Sequence, residues 1–280
     1  MDSLVSTGWL AAELGASDLR IVDASYFLPE HGRDASAEFA GAHIPGAVFL
    51  DLRAVADTTS PYPTMLPSAD AFARAMQALG VGGGVRVVIY DASPIPTSAR
   101  AWWMLRHFGL SDVAVLDGGF GKWQAEGRAT DGGVAISQPA RLAEVSVRSD
   151  VRTLAEMRGN LAGGVEQVLD ARSAARFAGE EPETRPGVAA GHIPGAKHLH
   201  YAKLFHADGT WKTVEELRTA FDDAAVDLSR PIVTTCGSGI TAAVLAFGAH
   251  LLGAETALYD GSWSEWGADP TTPKATGAAR

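Results

Sequence analysis

The sequence predicts an α/β protein of two similar domains, each a parallel sheet flanked by helices on both faces. Two observations carry this. Short apolar runs of four to six residues, without helical period, alternate with longer helical stretches, which is the pattern of strands buried on both faces and covered by helices. Two sequence blocks also occur twice in the same order. GAHIPGA at 41–47 returns as AGHIPGA at 190–196, and VLDGGFGKW at 115–123 returns as ALYDGSWSEW at 257–266. The offset is 149 residues from His43 to His192 and 143 from Asp117 to Asp260, so the chain reads as a duplication with about six extra residues in the first copy.

Each copy follows one plan. An amphipathic start (Trp9–Leu14; Thr153–Met157) leads to a strand at Arg20–Asp23 or Gln167–Asp170. A polar loop, HIPGA and a second strand follow, at Ala47–Leu50 or Ala196–Leu199. A helix then ends near Gly80 or Ala225, before β-branched runs at Val85–Tyr90 and Pro231–Thr235. The glycines from Gly80 to Gly84 read as a turn, because they precede a strand, whereas a dinucleotide fingerprint follows one. Helices at Ser98–Phe108 and Ser238–Leu252 come next, the second stopped by Gly253, and then strands at Val113–Leu116 and Thr256–Tyr259. Residues 131–150, with Gly, Ser and Pro, read as a linker between a domain at 1–130 and a domain at 151–280.

Composition narrows the function. The 280 residues suit two domains, and 46% hydrophobic with 20% charged residues is ordinary for a globular protein. A net charge of −10 argues against nucleic acid or an anionic membrane as partner and leaves room for a small anionic substrate. No run approaches the length of an apolar membrane span, and the first residues lack the basic start of a signal peptide, so the expected location is the cytoplasm. Cys236 is the only cysteine, which excludes an internal disulfide and any multi-cysteine metal site. No metal or organic cofactor is expected.

Cys236 sits in Thr-Cys-Gly-Ser-Gly-Ile-Thr, between a predicted buried strand and a predicted helix. That is the carboxyl end of a parallel strand, where open α/β sheets place ligands. Gly237 and Gly239 let the chain turn tightly and aim several N–H groups inward, and such a cradle at a helix N-terminus favours the thiolate, the reactive form of cysteine. Cys236 therefore reads as a nucleophile rather than as a small buried hydrophobe. The first copy carries Asp91 at the corresponding place. Trp102, Trp103, Trp123, Trp263 and Trp266 read as packing residues.

Two copies of a domain with HIPGA, a strand ending in cysteine and DGSW resemble the tandem rhodanese sulfurtransferases over about residues 5–270. CGSGIT is similar to the 3-mercaptopyruvate branch. The thiosulfate branch usually has two basic residues after the cysteine, where this chain has Gly237 and Ser238. The resemblance implies two rhodanese-like domains, the first catalytically silent. It implies a Cys236 persulfide formed from a small anionic sulfur donor and discharged to a thiol, cyanide or a thioredoxin-like acceptor. It assigns Arg176 and Arg185 to the substrate carboxylate and carbonyl, a role that suits the bidentate guanidinium. The alternative is that they pair with Glu180, Glu181 and Glu183. Arg172 reads as structural. The loop Gly237, Gly239, Ile240 and Thr241 is expected to bind substrate, and Ser238 to take part in catalysis. Asp34 and His43 are implied as a proton relay toward Ser238. His192 occupies the place of His43 in the second copy, so the motif alone is also consistent with a structural hydrogen bond.

Three alternatives accompany this reading. Thiosulfate as donor is disfavoured by the uncharged Gly237–Ser238 pair. A non-catalytic persulfide carrier or sensor would use the same cysteine. A cysteine phosphatase would need an arginine six residues after the cysteine, where this chain has Ala242.

Overall fold

A computed structural model describes residues 1–134, 139–140 and 145–279. Within the predicted linker, residues 135–138 and 141–144 lie outside the described residues. The chain forms two compact units. The first comprises Met1–Asp57, Leu66–Arg148 and Phe205–Trp211; the second comprises Thr58–Met65, Ser149–Leu204 and Lys212–Arg280. Each unit thus takes a short segment from the opposite half of the sequence.

The first unit runs β1 (Leu4–Val5), α1 (Thr7–Glu13), β2 (Leu19–Asp23), α2 (Ala35–Gly41), β3 (Ala47–Phe49), α3 (Leu52–Val55), α4 (Ala69–Ala78), β4 (Arg86–Tyr90), α5 (Ser98–His107), β5 (Val113–Leu116) and α6 (Gly119–Ala125). The second repeats the plan with β6 (Val151–Arg152), α7 (Leu154–Gly163), β7 (Gln167–Asp170), α8 (Ala174–Ala178), β8 (Lys197–His198), α9 (Val214–Asp223), β9 (Ile232–Thr235), α10 (Ile240–Leu251), β10 (Thr256–Tyr259) and α11 (Ser262–Trp266). The sheets have matching orders, β1-β5-β4-β2-β3 and β6-β10-β9-β7-β8, and every pairing is parallel. Both are parallel sheets flanked by helices, as the alternation of runs and helices predicts.

Local chemistry explains the helix starts. The Ser6 hydroxyl accepts from Trp9 N at 3.1 Å. Thr153 and Thr213 form reciprocal capping boxes with Glu156 and Glu216, which satisfy otherwise orphaned N–H groups at the starts of α7 and α9. The buried runs supply the cores: Ile21, Val88, Ala114 and Trp123 in one unit, and Val168, Val233, Tyr259, Trp263 and Trp266 in the other. All five tryptophans read as packing residues are buried. Gly80 and Gly84 lie in a turn ahead of β4, with φ of 71° and 80°.

Three features differ from the expectation. The edge strands β1 and β6 are only two residues each, too short to show a period. The helices α2 and α8, of seven and five residues, lie in the stretches that read as polar loops, and the short α3, α6 and α11 have no counterpart in the expected plan. The helix after Cys236 begins at Ile240 rather than at Ser238, because Gly239 takes a left-handed conformation at its N-cap, with φ of 81°.

The repeated HIPGA turn has a visible task. His43 and His192 each exchange backbone hydrogen bonds with a distant residue, Asp131 and Ala275, at 2.8–2.9 Å. Each ring is stacked on a phenylalanine, Phe39 or Phe177, and its Nδ1 lies 2.8 Å from that residue's carbonyl oxygen. Gly191, just before His192, has φ of 114°, and a Cβ there would overlap the Ala275 carbonyl oxygen. Gly191→Ala is therefore expected to destabilise the second unit by at least about 2 kcal/mol, seen as a lower melting temperature in calorimetry.

Candidate active site

The second sheet ends β9 at Thr235, and Cys236 follows directly. Cys236 is 2% exposed, yet its sulfur is not sealed in hydrocarbon. Ser238 N donates to Sγ at 3.4 Å and Gly239 N at 3.1 Å. These are the inward amides that the two glycines predict. Behind them, Ile240 and Thr241 open the twelve-residue α10, whose N-terminus adds its positive dipole end. Ile240 is buried and Thr241 is half-buried.

The DGSW turn supports the loop from its other side. Trp263 N donates to Cys236 O at 2.9 Å. The Ser262 hydroxyl lies 3.3 Å from Cys236 N and itself donates to Tyr259 O at 2.9 Å. Ser264 N donates to Gly237 O at 3.0 Å, and the Ser264 hydroxyl donates to the same oxygen. Arg185 Nη1 in turn donates to the Ser264 hydroxyl. Arg185 is thus one side chain removed from the cysteine loop.

Arg176, on α8, comes closer. A Cβ at Gly237 would lie 3.2 Å from Arg176 Nη2. The guanidinium therefore fills the space over Gly237, next to the cysteine. A cation stands beside the loop although the loop itself carries none. Arg176 Nη2 donates to Glu183 Oε2 at 2.6 Å, while its Nε is buried with no hydrogen-bond partner. The two expectations for this arginine meet here: it pairs with Glu183 through one nitrogen and leaves another unsatisfied. A buried unsatisfied donor is costly unless a ligand completes it.

Glu183 bridges Arg176 to Arg172, whose Nη1 donates to Glu183 Oε1 at 2.9 Å. Arg172 also donates to Asp170 Oδ2 at 2.7 Å and to Gly191 O at 2.7 Å, and it stacks 4.5 Å over Trp263. Its side chain and that of Asp170 are each 1% exposed. Arg172 is a scaffold residue, as its sequence reading has it, and truncating it would strand a buried carboxylate at a cost of about 3–5 kcal/mol.

Asp34 and His43 belong to the first unit. The Asp34 carboxylate caps α2, accepting from Ala37 N at 3.1 Å. His43 is 4% exposed, and with Nδ1 engaged by the Phe39 carbonyl it keeps Nε2 for any other partner. The first unit also shows what became of its own loop. The Asp91 carboxylate accepts from Ser93 N at 3.0 Å and from Ser98 N at 2.8 Å, so it fills with its own charge a cradle comparable to the one around Sγ.

Sequence reasoning missed Ser262 and Ser264, whereas Glu183 was among the partners expected for the arginines. Comparison of the two copies carries a signal for the serines: Ser262 and Ser264 stand where the first copy has Gly119 and Gly121, counted from the paired aspartates. The copies diverge around the very loop that holds cysteine in one and aspartate in the other. Ser262 keeps the left-handed backbone of its counterpart, with φ of 50° against 55° for Gly119.

Fold and loop together define a protein of two parallel α/β domains with one cysteine in an amide cradle. The rhodanese-like domain model matches residues 6–126 and 153–269, and the chain belongs to the rhodanese family. The 3-mercaptopyruvate sulfurtransferase of Rattus norvegicus is 42% identical over 271 residues, spanning 94% of this chain and 91% of that protein. The thiosulfate sulfurtransferase of Cricetulus griseus is 40% identical over 272 residues, spanning 94% and 91%. Among solved structures, SseA from Escherichia coli, described as a 3-mercaptopyruvate sulfotransferase, superposes with a TM-score of 0.85 at 36% identity, covering 95% of this chain and all of that one.

Burial pushes the Asp91 carboxyl up to about 6, against 3.8 for the free group. The native state therefore holds this proton longer than the unfolded chain. Between about pH 4 and pH 6 the fold loses stability through this group as pH rises, by up to about 3 kcal/mol. Asp91→Asn removes the titration, so the melting temperature of the variant relative to the parent should climb across that interval in a pH series.

Proposed function

We propose that the protein transfers sulfane sulfur from 3-mercaptopyruvate to a thiol or cyanide acceptor through a persulfide on Cys236. The observation that carries this is the conjunction at one loop: a sulfur facing two backbone N–H groups, with the Arg176 guanidinium over Gly237. The family and the relatives named above support the same activity.

Cys236, its sulfur facing the two amides, attacks the sulfur of the bound donor as a thiolate. The new S–S bond forms as the C–S bond breaks, and its electron pair passes to carbon as the enolate of pyruvate. Arg176 and Arg185 hold the donor's carboxylate and carbonyl, and the positive charge stabilises the negative charge that develops on the enolate oxygen. The enolate takes a proton through Ser238 or water, with His43 Nε2 and Asp34 as the proposed relay. The loop residues Gly237, Gly239, Ile240 and Thr241 then hold the persulfide. With no second cysteine in the chain, an external acceptor removes the outer sulfur and restores the thiolate. A thioredoxin-like dithiol would serve, and a cytoplasmic setting, which keeps thiols reduced, suits this cycle. In the first domain the Asp91 carboxylate occupies the nucleophile's place, and we read that domain as catalytically silent.

The position of the cation separates the two donors. Thiosulfate carries two charges, and a loop with Gly237 and Ser238 offers it none of its own. Among the described residues, no helix is long and apolar enough to cross a membrane.

Steady-state turnover with each donor tests the substrate: kcat/KM for mercaptopyruvate should exceed that for thiosulfate by at least about tenfold, and parity would overturn the choice. Cys236→Ser should abolish turnover. Intact-mass measurement should show a gain of about 32 Da on the parent after donor alone, one sulfur atom, and its loss when a thiol is added. An adduct that no acceptor discharges would mark a sensor instead. Arg176→Ala should lower kcat/KM by about 10²-fold, the scale of one charge-assisted pair.

A further inference from the structure

The two amides that face Cys236 belong to two successive peptide units, Gly237–Ser238 and Ser238–Gly239. The described chain has no cis peptide bonds, so in each unit the carbonyl points away from the N–H. Whatever grips the carbonyl therefore fixes the aim of the amide on the other side. For the first unit the grip is Ser264, through its N–H and its hydroxyl on Gly237 O. For the second unit it comes from the 58–65 segment. The Thr64 hydroxyl lies 2.5 Å from Ser238 O and 2.8 Å from Pro63 O. It has one proton to give, and the shorter contact is Ser238 O.

Thr64 occupies an unfavourable backbone region to make this contact. Its φ is 55°, in the left-handed region that a β-branched residue rarely adopts. Such an outlier persists only where the surroundings hold it. The segment carrying it belongs to the second unit although its neighbours in sequence belong to the first.

We infer that Thr64 is a positioning residue for the sulfur chemistry: its hydroxyl holds the Ser238–Gly239 peptide so that the Gly239 N–H faces the Cys236 sulfur. A hydrogen bond at the carbonyl also polarises the same peptide and strengthens its N–H as a donor. The shorter of the two N–H···Sγ distances, 3.1 Å against 3.4 Å, belongs to the peptide that Thr64 grips. Charged groups near the loop include Arg176, paired with Glu183, and Arg185, which reaches it through Ser264. This inference rests on Cys236 being the sulfur-carrying nucleophile.

The test is the pH dependence of Cys236 alkylation by iodoacetamide on the full chain, followed by intact mass from about pH 5 to about pH 10, which brackets the free thiol at about 8.5. Thr64→Val should move the midpoint up by about one unit and slow alkylation at neutral pH about tenfold. Thr64→Ser should restore the parent profile. Thr64→Gly accepts the backbone conformation without strain and lacks the hydroxyl, so it should show the shift of Thr64→Val even if the valine variant fails to fold. A parent-like profile in a folded Thr64→Val or Thr64→Gly, or a serine variant as slow as valine, overturns the role. Turnover by Cys236→Ser would instead sink the nucleophile while leaving the alkylation profile readable, so the two failures are distinct.

Discussion

Two backbone N–H groups aimed at one sulfur atom are the contact on which the rest of the second unit converges. Backbone amides cannot be retained one at a time as side chains can. Their direction is set by the whole loop, so the scaffold must hold the loop from several sides. Strand β9, central in its sheet, delivers Cys236 at its carboxyl end. Gly239 takes the left-handed turn that releases its amide from helix α10. The DGSW turn grips two carbonyls and one N–H of the loop. The parallel sheet matters here because it brings the ends of β9, β7 and β10 to one side of the unit. The three loops that follow these strands carry the cysteine, the arginines and the serines.

Charge is handled separately. Asp170, Arg172, Glu183 and Arg176 form a chain of alternating sign that begins in the buried interior and ends beside Gly237. The inner pairs are fully matched and serve as a rigid base. The outermost guanidinium is only partly matched, with one buried nitrogen left over.

Much of this was legible in the sequence. The twin HIPGA and DG blocks gave away the duplication, and buried β-branched runs marked β4 and β9 within a residue or two. Cys236 was legible because a strand, two glycines and a helix bracketed it. What escaped has physical causes. Helices of four to seven residues show too few turns for a period, so α8, which carries Arg176, read as loop. The serines behind the cysteine loop act through backbone contacts, which leave no residue-type pattern. The 58–65 segment joins the second unit through tertiary packing, and nothing local in Ser-Pro-Tyr-Pro-Thr announces where it docks.

The guanidinium over Gly237 has an evolutionary consequence. Because the nearby cation hangs from a helix and not from the cysteine loop, the polarity around the incoming donor can drift by exchanges on α8 while the turn that grips sulfur stays untouched.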